Sequence, residues 1–108
     1  MTLGQNQEAF ARDIVKLLIK SQELGYEARL AEFQRPLEMQ KIYFKLGRSK
    51  TLNSMHIKKC AADIYFMKDG QLQYPRELGE YWESLSPQNS AGMFWKSFKD
   101  GPHYQRTV

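Results

Sequence analysis

The sequence predicts an α+β domain in which a small antiparallel sheet packs against N-terminal helices. Two observations indicate this class. Apolar residues recur at helical spacing in the first quarter of the chain, whereas the second half contains short apolar runs bounded by turn residues. Since the chain has 108 residues, we expect residues 1–108 to form a single domain around one core.

The first predicted element is an amphipathic helix over residues 5–24, and Gly25 follows it as a C-terminal stop. Residues 26–33 alternate in part and predict a strand with Tyr26, Ala28 and Leu30 directed inward. Pro36 then opens a second helix over residues 37–46. Its inner face is expected to consist of Met39, Ile42, Tyr43 and Leu46.

The remaining elements are shorter. A strand over residues 61–67, a Lys68-Asp69-Gly70 turn and a return strand over 71–74 predict a hairpin. Residues 75–85 predict a short helix, and the polar residues 86–90 a loop. A turn at Asp100-Gly101-Pro102 leads into a final strand over residues 103–106.

Composition narrows the function classes. The net charge of +4 suits an anionic partner such as cell wall or nucleic acid. The basic residues are scattered, however, and only Lys58 and Lys59 are adjacent, so we expect no nucleic-acid partner. Cys60 is the single cysteine, which excludes disulfide frameworks and cysteine-rich zinc modules. Any metal must therefore be bound by histidine and carboxylate.

The N-terminal residues 1–8 are polar and show no signal peptide, and no apolar run approaches membrane-spanning length. We therefore expect synthesis in the cytoplasm and no membrane insertion. We also expect the protein to be a monomer.

The two histidines each have a carboxylate nearby: Asp63 follows His56 by seven residues, and Asp100 precedes His103 by three. A catalytic zinc ion takes three protein ligands with nitrogen or oxygen donors and keeps one position open for water, so two histidines and one aspartate would satisfy it. Asp100, at a turn, is then a candidate base for the bound water. Spacing alone fits ordinary polar residues at strand ends equally well.

Two motifs resemble those of a known family. Residues 54–63, Ser-Met-His-Ile-Lys-Lys-Cys-Ala-Ala-Asp, are similar to Ser-x-His-x-x-Gly-x-Ala-x-Asp, and residues 100–104 to Asp-x-x-His-aromatic. Both motifs belong to the zinc D-Ala-D-Ala carboxypeptidases (VanY-like) and the L-alanyl-D-glutamate endopeptidases of phage endolysins. The resemblance implies a Hedgehog/DD-peptidase-like fold, Zn²⁺ held by His56, Asp63 and His103, and Asp100 as general base on zinc-bound water.

The resemblance extends from about Arg35 to the C-terminus and implies further roles. Arg35 matches an arginine that pairs with a substrate carboxylate or stabilises the oxyanion, the alternative being a surface salt bridge. Gln40 matches a substrate-side glutamine, the alternative being a helix-surface amide. Ser54 binds substrate, orients a ligand or is a plain turn residue. Residues 78–85 and 95–100 are similar to the phage members in particular.

Three positions depart from the family pattern. Lys59 stands where glycine is usual, which implies backbone strain if that position needs a positive φ. Gln105 stands where an acidic residue is common, and Ala91-Gly92-Met93 replaces a Trp-Gly-Gly stretch. These changes leave the proposed ligands and base in place.

The sequence therefore predicts a zinc peptidase that hydrolyses peptidoglycan stem peptides and reaches the wall after release from the cell. Endopeptidase and carboxypeptidase action both remain open. The alternative is a non-catalytic, zinc-stabilised module that binds cell wall or belongs to a phage particle.

Overall fold

The computed structural model of the protein describes residues 1–34, 36–47 and 54–108. Within these ranges the chain forms three α-helices and five strands. Their order is α1 (Leu3–Glu23), β1 (Glu27–Leu30), α2 (Leu37–Lys45), β2 (Ala61–Lys68), β3 (Gln71–Gln73), α3 (Arg76–Leu85), β4 (Asn89–Ala91) and β5 (His103–Arg106). A 3-10 turn, Gly92–Phe94, follows β4. The predicted α+β class is confirmed.

Helix α1 begins at Leu3, two residues before the predicted start. Thr2 and Gln5 form a capping box at its N-terminus. The Thr2 hydroxyl accepts a hydrogen bond from the Gln5 backbone N–H at 3.1 Å, and the Gln5 side chain accepts one from the Thr2 N–H at 2.9 Å. Gly25, with φ of 85°, ends the helix as predicted.

Strand β2 is the centre of the antiparallel sheet, whose order is β1-β2-β5-β4. Phe66 pairs with both Ala28 of β1 and Gln73 of β3, so these two strands lie on opposite edges of β2. The first half of β2 pairs with β5, and there Asp63 lies directly opposite His103. The fold thus joins the two halves of the predicted site across one strand pair.

The hydrophobic core lies between the sheet and helices α1 and α3. Trp82 of α3 is completely buried, and its ring meets Phe10 of α1 and Tyr104 of β5 edge to face, with centroids 5.7 and 6.1 Å apart. Tyr104 in turn contacts Phe66 of β2. Because Tyr104 follows His103, the same strand anchors the core and carries a candidate ligand. No described helix is both long and apolar enough to cross a bilayer.

The predicted inner face of α2 is wrong. Met39, Ile42 and Leu46 are 37%, 47% and 65% exposed, and Gln40 is the residue of this helix that is buried. Successive helix positions differ by about 100°, so Ile42 points roughly away from the side on which Gln40 is buried. The side of this helix that carries Gln40, rather than the apolar stripe, is therefore turned away from solvent.

Two smaller expectations also differ from the structure. Ala28 and Leu30 are predicted to point inward, but all four residues of the edge strand β1 are exposed. Of the three residues predicted to point inward, only Tyr26, which precedes the strand, is buried. The predicted loop over residues 86–90 contains the start of β4, which pairs with β5. A three-residue strand is too short to show an alternating pattern.

Candidate metal centre

His56 is placed by a tight turn that precedes β2. The Cys60 N–H donates to the Met55 carbonyl at 2.9 Å and the Lys59 N–H to the His56 carbonyl at 3.2 Å, which is the hydrogen-bond pattern of a Schellman motif. That motif normally has glycine where Lys59 stands, and Lys59 has φ of 59°. This position therefore has the positive φ under which the sequence implies backbone strain. The Ser54 hydroxyl accepts from the His56 N–H at 3.2 Å.

Asp63 and His103 are placed by strand register. They face each other across β2 and β5, so their side chains leave the same side of the sheet. Asp63 Oδ1 lies 3.3 Å from His103 Nδ1 and 3.3 Å from His56 Nε2. One ligand atom from each of the three residues lies within 4.8 Å of the others. The sequence-predicted ligands therefore form one cluster.

The ring nitrogens of His56 show that this cluster suits a cation. Its Nδ1 lies 3.4 Å from the Phe33 carbonyl, which only accepts hydrogen bonds, so this contact favours the tautomer with the proton on Nδ1. The Nε2 lone pair is then available to a metal ion. Nε2 is buried and has no hydrogen-bond partner among the described residues, although Asp63 Oδ1 lies 3.3 Å away.

His103 is oriented by Gln105. The ring Nε2 lies 2.8 Å from Gln105 Oε1, and the Gln105 amide donates to the Thr107 hydroxyl at 2.9 Å. With the proton on Nε2, the Nδ1 lone pair is available to a metal ion shared with Asp63; in the metal-free protein, Nδ1 lies at hydrogen-bonding distance, 3.3 Å, from Asp63 Oδ1. Two imidazole lone pairs and a carboxylate oxygen thus converge, with the second ring nitrogen of each histidine bonded to an acceptor. This is the ligand chemistry and outer support of a zinc site, and the residues fit Zn²⁺.

The protonation of Asp63 also suits a metal ligand. In the metal-free protein, burial raises the pKa of this carboxyl, but hydrogen bonds from His103 and His56 and the positive charge of the protonated rings outweigh burial. The pKa is held well below the ordinary value for aspartate. Asp63 is therefore anionic at neutral pH.

Asp100 lies beside the three ligands without joining them. Its Oδ2 is 3.7 Å from His103 Nδ1, and its side chain is 45% exposed, against 19% for Asp63. A carboxylate at the open side of the cluster can exchange protons with substrate or solvent.

Gly92 holds the turn that carries Asp100. The Asp100 N–H donates to the Gly92 carbonyl at 3.0 Å, and a Cβ on Gly92 would lie 2.2 Å from the Asp100 carbonyl oxygen. No larger residue fits without moving this turn. Gly92 therefore sets the position of both Asp100 and His103.

Trp95 forms a wall next to the cluster. Its ring centroid lies 5.0 Å from that of His103, and its indole N–H donates to the Ser90 hydroxyl at 2.8 Å. The two ring planes are inclined at 53°, and the hydrogen bond holds the indole in place beside His103.

The substrate-side assignments have different outcomes. Gln40 is completely buried, so the helix-surface alternative for it is wrong. The Ser54 hydroxyl accepts a hydrogen bond from the His56 backbone N–H, which fits both the ligand-orienting alternative and the plain turn residue. Arg35 lies outside the described residues.

Gln105 and Gly92 have no role predicted from the sequence. Gln105 was detectable in principle, since it lies two residues from His103 on one strand and so shares its side of the sheet. The role of Gly92 depends on a contact with a distant turn, for which the sequence carries no local sign.

Comparison with known proteins adds to this geometry. No protein-family profile and no curated protein matches the chain. The structure is similar to the crystal structure of Serratia marcescens L-Ala D-Glu endopeptidase ChiX, with a TM-score of 0.63 and 23% identity, covering 96% of this chain and 85% of that chain. The two chains share a fold. The shared fold extends over nearly the whole chain and agrees with the predicted α+β architecture.

Proposed function

We propose that the protein is a zinc-dependent peptidase that hydrolyses an amide bond of peptidoglycan stem peptides. The observation that carries the proposal is the convergence of His56, Asp63 and His103 within 4.8 Å beside the half-exposed Asp100. The shared fold with an L-Ala D-Glu endopeptidase favours the L-Ala–D-Glu bond over the D-Ala–D-Ala bond.

His56 Nε2, Asp63 Oδ1 and His103 Nδ1 would hold the ion. When bound, Zn²⁺ lowers the pKa of water and polarises a carbonyl group, which is the chemistry that amide hydrolysis requires. Phe33 and Gln105 keep the two imidazole rings in the tautomers that leave these lone pairs available.

Asp100 moves the proton. Its carboxylate accepts a proton from the attacking water and passes it to the leaving amine, and its exposure gives it access to both. Gly92 and the hydrogen bond from the His103 N–H to the Asp100 carbonyl, at 3.2 Å, keep this carboxylate beside the cluster. Trp95 packs beside His103.

Arg35, Ser54 and Gln40 complete the proposal through the family resemblance. Arg35 carries a planar guanidinium that matches a substrate carboxylate or a tetrahedral oxyanion. Ser54 contributes through the His56 turn. The resemblance assigns Gln40 to the substrate side of the site. Because its amide is completely buried, Gln40 can act there only by supporting neighbouring groups.

Asp100→Asn tests the division between ligands and base. The variant should keep its zinc and lose at least about a hundredfold in the release of amino groups from purified peptidoglycan, because general-base catalysis contributes on this scale. Asp69→Asn is the matched control, since Asp69 is exposed in the β2–β3 turn, and it should keep full activity. Parent-like turnover by Asp100→Asn would refute the assignment. A zinc-bound parent that binds wall and releases no amino groups would favour the non-catalytic module.

A further inference from the structure

A second feature of the surface lies beside the turn that carries Asp100. It is an open pocket of about 390 Å³, lined by Tyr74, Arg76, Met93, Phe94, Lys99 and Gly101. The Tyr74 ring rests directly against the turn, because a Cβ on Gly101 would lie 2.6 Å from it. The proposed chemistry uses none of these six residues.

The charges in this pocket are both positive. Arg76 lies over the Phe94 ring, with its guanidinium carbon 5.3 Å from the ring centroid. Its Nε is 3.5 Å from Glu80 Oε1 in an exposed pair, which leaves the terminal guanidinium nitrogens for another acceptor. Lys99 is exposed and forms no ion pair within residues 1–34, 36–47 and 54–108. A carboxylate flanked by apolar atoms complements this lining.

The pocket is also close to the proposed reaction centre. Lys99 and Gly101 are the sequence neighbours of Asp100, and consecutive Cα atoms are about 3.8 Å apart. The residues on both sides of Asp100 in the sequence therefore line this pocket. A glutamate residue in a peptide carries one carboxylate that is not part of the chain. If glutamate follows the scissile bond, that carboxylate falls within reach of the pocket.

We infer that the pocket formed by Tyr74, Arg76, Phe94 and Lys99 binds the free carboxylate of the acidic substrate residue next to the scissile amide. The inference rests on the proposed function and assigns a recognition subsite to it. Substrate choice then depends on charge: a stem peptide with a free glutamate carboxylate binds well, and its amidated form binds poorly.

The test is a binding measurement that does not depend on turnover. The probe is a stem peptide in which the L-Ala–D-Glu amide is replaced by a ketomethylene group, made with a free glutamate carboxylate and as the carboxamide. Affinity for the zinc-loaded protein is measured by calorimetry. The parent should prefer the acid by about tenfold, as expected of two exposed ion pairs.

The variant that removes the subsite is Arg76→Gln with Lys99→Gln. It should bind acid and amide equally, with the affinity for the amide unchanged. Arg12→Gln with Lys16→Gln changes the net charge equally on exposed positions of α1 and should keep the preference. A preference that survives in the first variant, or is absent from the parent, overturns the inference. A preference that behaves as expected in a protein that cleaves no peptidoglycan would overturn the proposed function alone.

Discussion

Lys59 is the residue whose replacement gives the sharpest stability prediction. It occupies the left-handed position of the Schellman motif that ends the His56 turn, with φ of 59°. A residue with a Cβ is strained there because the Cβ approaches the following carbonyl oxygen, at a cost of about 1–2 kcal/mol. Lys59→Gly removes that contact.

The expected gain is smaller than the strain, because glycine also gives the unfolded chain more freedom, which costs about 0.4–1 kcal/mol. The Lys59 side chain is exposed, so its loss removes little packing. The net increase in the free energy of unfolding should be about 1 kcal/mol, or about 4 °C in Tm for a domain of this size.

Urea denaturation of metal-free protein measures this difference without a contribution from zinc binding. Lys59→Ala is the matched control, because alanine removes the same charge and keeps the Cβ. It should lie within about 0.5 kcal/mol of the parent. If Lys59→Gly is no more stable than Lys59→Ala, the backbone at Lys59 is not strained and the reasoning is refuted.

Two further substitutions test how the cluster is supported. Gln105→Ala removes the acceptor of His103 Nε2 and should weaken zinc binding by about 10- to 100-fold in a chelator competition assay; unchanged affinity would show that Gln105 does not set the ring tautomer. Gly92→Ala places a Cβ against the Asp100 carbonyl and should destabilise the fold by about 3 kcal/mol in thermal unfolding. Gly4→Ala, whose Cβ would meet only Thr2 Oγ1 at 3.9 Å, should be neutral or slightly stabilising. Equal stability of the two alanine variants would contradict the close approach at Gly92.

The sequence predicts much of the fold where local chemistry sets the boundaries. Gly25 ends α1, and the β2–β3 hairpin follows from the Asp69-Gly70 turn, where both residues have positive φ. The site was predictable for a related reason. With only two histidines in the chain, few ligand combinations exist, and the family motifs single out one of them.

The parts that could not be predicted depend on tertiary contacts. The apolar stripe of α2 looks like a core face in the sequence, yet burial of Gln40 directs the stripe to solvent. The support of His56 comes from the Phe33 backbone carbonyl, which every residue type would supply equally. The approach of Gly92 to Asp100 joins residues that pattern analysis treats separately.

Mass spectrometry of purified peptidoglycan, digested by zinc-loaded and by chelator-treated protein, tests the central claim most directly. The zinc-loaded protein should produce peptides with a new N-terminal D-Glu, and the chelator-treated protein should produce none until zinc is restored. Identical, undigested peptide maps from the two samples would contradict the claim that His56, Asp63 and His103 form the centre of a zinc peptidase.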